Sequence, residues 1–277
     1  MPTSPRLPHR TLFFKRPWLI LLLGLTGFVL YRWIYLTNGP SSPAETFSPK
    51  MEKLIKVYPE IQTVRQNRVW FRDGSSIPYD TKKKYASFLD SLNQADVEDH
   101  FSQEYPRGPL LTPPAPNQDP GRFRCDALFK KMYGDTPEKV AANLEEIIWC
   151  PKLVGQKIRI NKRNGAAEQV KKISAELDGD STLMPYLSRI AGSFVWRKIA
   201  GTERNSTHSY GITIDINTTH THYWQWDCNC SNEDVLLTYK NKIPWKIVEV
   251  FEKHGFIWGG KWYHYDTMHF EYRPELL

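Results

Sequence analysis

Four residues are placed so that they could do chemistry together: His208, Asp215, Asp266 and His269. Between Ile212 and Asn217 apolar and polar residues alternate. Ile212, Ile214 and Ile216 share one face of a strand, and Thr213, Asp215 and Asn217 share the other. Asp215 is thereby aimed away from the hydrophobic layer, where a carboxylate facing a site calls for a cation. His208 lies beyond the Tyr210-Gly211 turn and can return to the same face. The C-terminal strand repeats the design, with Met268, Phe270 and Tyr272 on one face and His269 and Glu271 on the other. Asp266 stands at its entrance. Two imidazoles and one carboxylate form a three-ligand zinc set that leaves a fourth position for water. A further carboxylate can take that water's proton, which is hydrolytic chemistry. Singly, a histidine on a strand is more often a hydrogen-bonded structural residue, and an aspartate on a polar face is usually just solvated. The convergence of the set carries the reading.

The elements that must hold this set are legible in outline. A helix is expected from Pro137, capped by Thr136, with Val140, Leu144 and Ile147 on one face. Lys157–Asn161 alternates as a strand, with Ile158 and Ile160 on one side. Ala166–Leu177 is an amphipathic helix built on Val170, Ile173 and Leu177, and another runs from Pro244 to His254 and stops at Gly255. Short strands are expected over Ile212–Asn217 and Thr267–Tyr272. Upstream, Val69-Trp70-Phe71 followed by Asp73-Gly74 suggests a strand and turn, and Ala86–Leu92 a short helical piece. The proline-rich stretch 107–121 reads as an extended connection. With 20 prolines and 16 glycines in 277 residues, the whole fits a loop-rich α+β protein.

The charge of +7 raises the question of nucleic acid, but its placement argues against it. Residues 1–36 hold Arg6, Arg10, Lys15, Arg16 and Arg32 and no acid, so only +2 remains for the other 241 residues. Arg10, Lys15 and Arg16 precede an apolar stretch, Trp18–Leu36, interrupted once by Arg32. That is the pattern of a signal-anchor helix with its positive flank in the cytoplasm and the rest of the chain exported. Cleavage of the signal is the rival outcome, though no clean small-x-small site follows the run. The expected division is a cytoplasmic stub and anchor helix over 1–36, a Pro/Ser-rich linker over 37–50, an accessory region over 51–119 and a catalytic domain over 120–277. The four cysteines allow three pairings, of which Cys125–Cys150 is preferred, because Cys228 and Cys230 are close in sequence.

Ser206-x-His208-x-Tyr-Gly-x-x-x-Asp215, followed by Asp266-x-Met-His269-Phe-Glu, resembles the D-alanyl-D-alanine carboxypeptidase family. That family includes VanY-type carboxypeptidases, VanX-type dipeptidases and L-alanyl-D-glutamate endolysins. The resemblance extends over about 120–277 and takes in Phe194-x-Trp-Arg197, Ile199-Ala-Gly-Thr, Tyr223-Trp224 and the run from Gly255 to Trp262. It implies a small antiparallel sheet carrying a zinc site between flanking helices, a fold shared with hedgehog signalling domains. It implies zinc on His208, Asp215 and His269, with Asp266 as catalytic base. Arg197 would stabilise the oxyanion, Ser206 would place substrate and Trp262 would line the cleft. Thr213 departs from the family, where Ala is usual. The implied activity is cleavage of peptidoglycan stem peptides, at D-Ala-D-Ala or at an L-Ala-D-Glu-type bond. The alternatives are a non-catalytic module that holds wall peptides or a partner, and an anchored scaffold in which 51–110 binds an envelope protein.

Other residues fall outside this set. His220 and His222 could share a strand face as a secondary metal site, although a solvated loop is the simpler reading. His264 could contact substrate, and His254 ends a helix where its charge suits the dipole. No HExxH, P-loop or GxSxG pattern is present.

Overall fold

The first regular element, helix α1 (Pro49–Val57), begins where Ser48 caps it and Pro49 supplies a pre-set φ at its first position. The computed structural model describes residues 48–277. The anchor helix expected over 1–36 and most of the linker expected over 37–50 lie outside the described residues. No described helix is long and apolar enough to cross a membrane.

Strands β1 (Ile61–Arg65), β2 (Arg68–Phe71) and β3 (Ser76–Pro78) form an antiparallel meander. Leu54 of α1 and Tyr58, which caps it, pack with Ile61, Val64, Val69 and Phe71 of the meander, all of them buried. Helix α2 (Phe88–Asn93) follows, capped by the Ser87 side chain. The chain then runs without helix or strand from 102 to 125 before α3 (Asp126–Tyr133). These N-terminal residues share one hydrophobic core with the rest: Leu54, Val69 and Phe101 belong to the same cluster as Phe129, Ile147 and Phe270.

Thr136 caps α4 (Pro137–Ala141) as expected, but the helix is one turn long. Leu144 and Ile147 do not continue its face. They lie on β4 (Leu144–Trp149), which pairs in register with β5 (Gln156–Asn161). Ile147 and Trp149 point inward beside Ile158 and Ile160. Helix α5 (Ala166–Leu177) lies over this hairpin and buries Val170, Ile173 and Leu177. A single turn, α6 (Met184–Leu187), follows.

The third sheet places β8 (His269–Tyr272) between β6 (Thr213–Asp215) and β7 (Phe256–Trp258), all antiparallel. Helix α7 (Trp224–Cys228) sits in the long β6–β7 connection. Helix α8 (Trp245–Lys253) packs its Ile247, Val248 and Phe251 under the sheet. There Phe251 stacks on Phe270 with ring centroids 3.9 Å apart. The alternation read from the sequence is the alternation of this sheet. Ile214 pairs with Phe270 on the core face, while Asp215 pairs with His269 on the other.

The cysteine pairing differs from expectation. Cys228 is bonded to Cys230, while Cys125 and Cys150 are free and buried. Asn229, between the bonded pair, adopts a left-handed conformation at the end of α7 (φ 51°, ψ 47°). That bend brings the Cα atoms of Cys228 and Cys230 to 5.2 Å, within the ordinary range for a disulfide, so short separation in sequence was no obstacle.

Candidate metal centre

His208 sits on a 3-10 turn (Thr207–Tyr210) immediately before β6. Gly211 ends that turn at φ +66°, and a Cβ there would stand 2.6 Å from the Leu144 side chain. Only glycine therefore both adopts the bend and fits against β4. The bend returns the chain so that His208 Nε2 comes within 3.0 Å of Asp215 Oδ2. His208 Nδ1 lies 2.9 Å from the Ser193 carbonyl oxygen, so it donates there and leaves Nε2 with a free lone pair.

His269 reaches the same point from the neighbouring strand. The β6–β8 register sets it directly across from Asp215, with Nδ1 3.1 Å from Asp215 Oδ1. Its Nε2 lies 3.2 Å from Glu271 Oε2, two residues along the same face of β8. Glu271 is itself fully buried and held by Arg124 and Arg273, each at 3.0 Å. The ligand atoms of His208, Asp215 and His269 all lie within 4.8 Å of one another, and among the described residues no other group of this kind occurs.

The electrostatics are those of a site built for positive charge. Burial alone would push the Asp215 carboxyl up, but the two imidazoles outweigh it and hold it well below the usual carboxylate range. Burial opposes charge on His269 as well, yet Asp215 and Glu271 raise its pKa to about 10. Burial also works against an ionised Glu271, and Arg124 leads the groups that keep it ionised. Asp266 goes the other way. Burial, and then the Asp215 charge, push it up to about 7, and its Oδ1 is buried without a hydrogen-bond partner.

The donor set fits zinc. It is two nitrogens and one oxygen, with the second nitrogen of each imidazole fixed by an acceptor and a carboxylate oxygen left over beside them. A cleft of about 540 Å³ opens onto the set and is lined by Arg197, Ser206, Trp262 and Asp266 as well as by the three ligands. Arg197 is exposed at the rim. Its strand-like segment pairs with that of Ser206, through Ser206 N to Arg197 O at 3.0 Å and a Lys198–Asn205 bridge. Ser206 is buried in the cleft. Trp262 donates its indole N–H to the Pro120 carbonyl at 2.7 Å and lies 5.5 Å from the His269 ring, so it serves as wall.

Every site residue expected from the sequence thus lies in one cleft. Glu271 was placed on the correct face by alternation but given no role; its position two residues after His269 was the available signal. Arg273, two residues further along the same alternation, carried the same signal, whereas Arg124 and the Ser193 carbonyl had none, being distant in sequence. Among the remaining histidines, His264 lines the cleft, but Asp119 (2.6 Å) and the Glu233 carbonyl (2.9 Å) occupy both its nitrogens. His222 bonds Asp227 at 3.0 Å, and His220 packs on Tyr186. His254 caps α8 and contacts Gln169 and Glu176.

His208 on its turn, Asp215 on β6 and His269 on β8, with the Asp266 carboxyl beside them, form one cluster that could hold a metal ion. Residues 200–272 match the family model described as D-alanyl-D-alanine carboxypeptidase. The matched span contains His208, Asp215, Asp266 and His269, and Arg197 falls just before it. No curated protein and no solved structure matches the chain.

Proposed function

We propose that the chain is a zinc-dependent peptidase that cleaves peptidoglycan stem peptides, as a D-Ala-D-Ala carboxypeptidase or an L-Ala-D-Glu-type endopeptidase. The observation that carries this reading is the convergence of His208 Nε2, the Asp215 carboxylate and His269 Nδ1 beside the unpartnered Oδ1 of Asp266. Zinc held by these ligands would supply a Lewis acid that acidifies water and polarises a carbonyl. Asp266 accepts a proton from the attacking water and returns it to the leaving amine, a task suited to a carboxyl titrating near neutrality. Arg197, at the rim of the same cleft, offsets the negative charge that develops on the scissile carbonyl oxygen. Ser206 positions the peptide, and the Trp262 wall shields the His269 side of the cleft from water.

The proposal includes an uncleaved anchor over residues 1–36 in the cytoplasmic membrane, with the peptidase on the exported side. The one-sided basic flank supports that orientation, and the Cys228–Cys230 disulfide suits an oxidising compartment. Peptide of the wall, not nucleic acid, is then the partner.

The test is to incubate the full-length, zinc-loaded protein with defined muropeptides and read the products by mass spectrometry. A single scissile bond is expected, with activity abolished by a chelator and restored by zinc. Zinc bound at one equivalent with every stem peptide left intact would replace this reading with a non-catalytic wall-peptide module.

A further inference from the structure

Four arginines line the cleft beside the metal centre, and three of them are accounted for. Arg122 pairs with Asp119 at 2.9 Å and Glu233 at 2.7 Å. Arg124 pairs with Glu271 at 3.0 Å. Arg197 is solvated at the rim. Arg204 is different. It is only 7% exposed, and no carboxylate of the described residues comes within ion-pair distance of it. Its Nε donates to Asn93 Oδ1 at 3.2 Å and its Nη1 to the Arg122 carbonyl at 3.4 Å, both neutral acceptors, and Nη2 has no partner among the described residues.

A buried cation without a counter-charge is costly, and its neighbours make this one more so. Burial first, and then the positive charges of Arg124 and Arg122, pull the Arg204 guanidinium down to about 9. Glu233 and Asp126 offset part of that cost from a distance, but no carboxylate of the described residues touches the guanidinium. A bound anion would, and a guanidinium fork with a free Nη2 matches a carboxylate better than it matches a single acceptor.

We infer that Arg204 is the specificity residue of the cleft and binds a free carboxylate of the peptide substrate. The inference rests on the peptidase reading and sharpens it, because it limits substrates to peptides that present a carboxylate close to the scissile bond. In a stem peptide that group is either the terminal carboxylate, which would make the enzyme a carboxypeptidase, or the α-carboxylate of a γ-linked D-glutamyl residue, which would make it an endopeptidase. The chemistry recognised is the same, and the two are separable by amidation.

The experiment uses the full-length, zinc-loaded protein carrying Asp266→Asn, so that binding is read without turnover. Three synthetic peptides are titrated calorimetrically: L-Ala-γ-D-Glu-L-Lys-D-Ala-D-Ala, its C-terminal amide, and the form with the D-glutamyl α-carboxyl amidated. One amidation is expected to weaken binding roughly tenfold to a hundredfold, the range for loss of a charged hydrogen-bonded contact, and the other to leave it unchanged. Adding Arg204→Gln should weaken the free acid by the same factor and leave the sensitive amide where it was, with Arg204→Lys intermediate. A purely structural Arg204, tying Asn93 to the cleft, would lower all three peptides alike, and that result overturns the inference. So does equal binding of acid and both amides by the protein with Arg204 intact, a comparison that needs no substitution at the buried site, or no binding of the acid at all. Turnover of the same peptides by the protein with Asp266 present separates the two claims. Cleavage without carboxylate preference removes Arg204 and keeps the peptidase, whereas carboxylate preference without cleavage keeps Arg204 and removes the peptidase.

Discussion

His269 presents Nδ1 to Asp215 because Glu271 engages Nε2, and Glu271 can stay ionised in the core because Arg124 and Arg273 hold it. This chain of contacts makes Glu271 a positioning residue. Glu271→Gln keeps the shape but loses the charge, and zinc affinity should fall about tenfold to a hundredfold, read by competition with a chelating dye. An unchanged affinity would mean that strand geometry alone orients the ring. At Asp266 the expectation concerns pH. A base must be unprotonated, so kcat/KM should rise with pH along an acidic limb at or below about 7, since a cation bound nearby can only lower the value set by burial and Asp215. Asp266→Ala should retain zinc and lose about 10²- to 10⁴-fold in kcat; full activity in the purified variant would assign the base elsewhere. Thr213 poses a smaller question. Its hydroxyl is buried on β6 without a hydrogen-bond partner among the described residues, so Thr213→Ala removes an unsatisfied group. Thermal unfolding should show a Tm unchanged or raised, and a loss above about 1 kcal/mol would reveal a partner for the hydroxyl.

Strands β6 and β8 were legible because polar residues take one face and apolar residues the other, although nearly all of them are buried, so that period-two alternation and the site coincide. Helices α5 and α8 were legible for the same reason at period 3.6, and the structure ends α8 just before Gly255 at φ +85°. Between 140 and 149 the local pattern was ambiguous. Val140, Leu144 and Ile147 fit a helical stripe, but the β5 partner, which no local window contains, turns Leu144–Trp149 into a strand. The Cys228–Cys230 bond was hidden similarly, since it depends on the left-handed Asn229. Gly211 joins these elements, because its bend sets His208 over β6 while its missing side chain admits Leu144 of β4. Gly211→Ala combines an unfavourable φ with a 2.6 Å approach to Leu144, and should destabilise by about 1–3 kcal/mol in urea unfolding. Zinc affinity should fall with it. Stability lost while affinity stays intact would show that β6 keeps its register without this turn.

The N-terminal residues around α1 and the β6–β8–β7 sheet are tied together by charge in the interior. His100 lies 2.7 Å from Glu275, Glu275 is 2.6 Å from Arg273, Arg273 reaches Glu271, and Tyr58, just after α1, donates to Glu275 at 2.7 Å. All of these side chains are buried, so the C-terminal residues hold the N-terminal ones to the core and the Glu271 support in one network. Its titration gives the molecule an acid limit. Burial, aided by Arg273, lowers His100 from 6.5 to about 4, so the contribution of its neutral form is present above 6.5 and drains away as pH falls toward 4. Burial opposes an ionised Glu275, but Arg273 and then His100 prevail and take it from 4.5 down to about 2, so its contribution is present above 4.5 and is lost as pH falls toward 2. In the metal-free protein Asp266, raised to about 7, gains stability as pH falls through the same window and opposes the His100 step, so the net acid loss is expected mainly below pH 4.5, where Glu275 takes up its proton. Glu275→Gln leaves Arg273 short of a partner and should cost about 3–5 kcal/mol at pH 7, the usual penalty for breaking a buried pair. Because the variant has already lost the lower titration, its urea midpoint should fall less than that of the unmodified protein between pH 4.5 and 3. Parallel curves over that interval would place the acid limit in some other group and leave the tie between the two regions to packing alone.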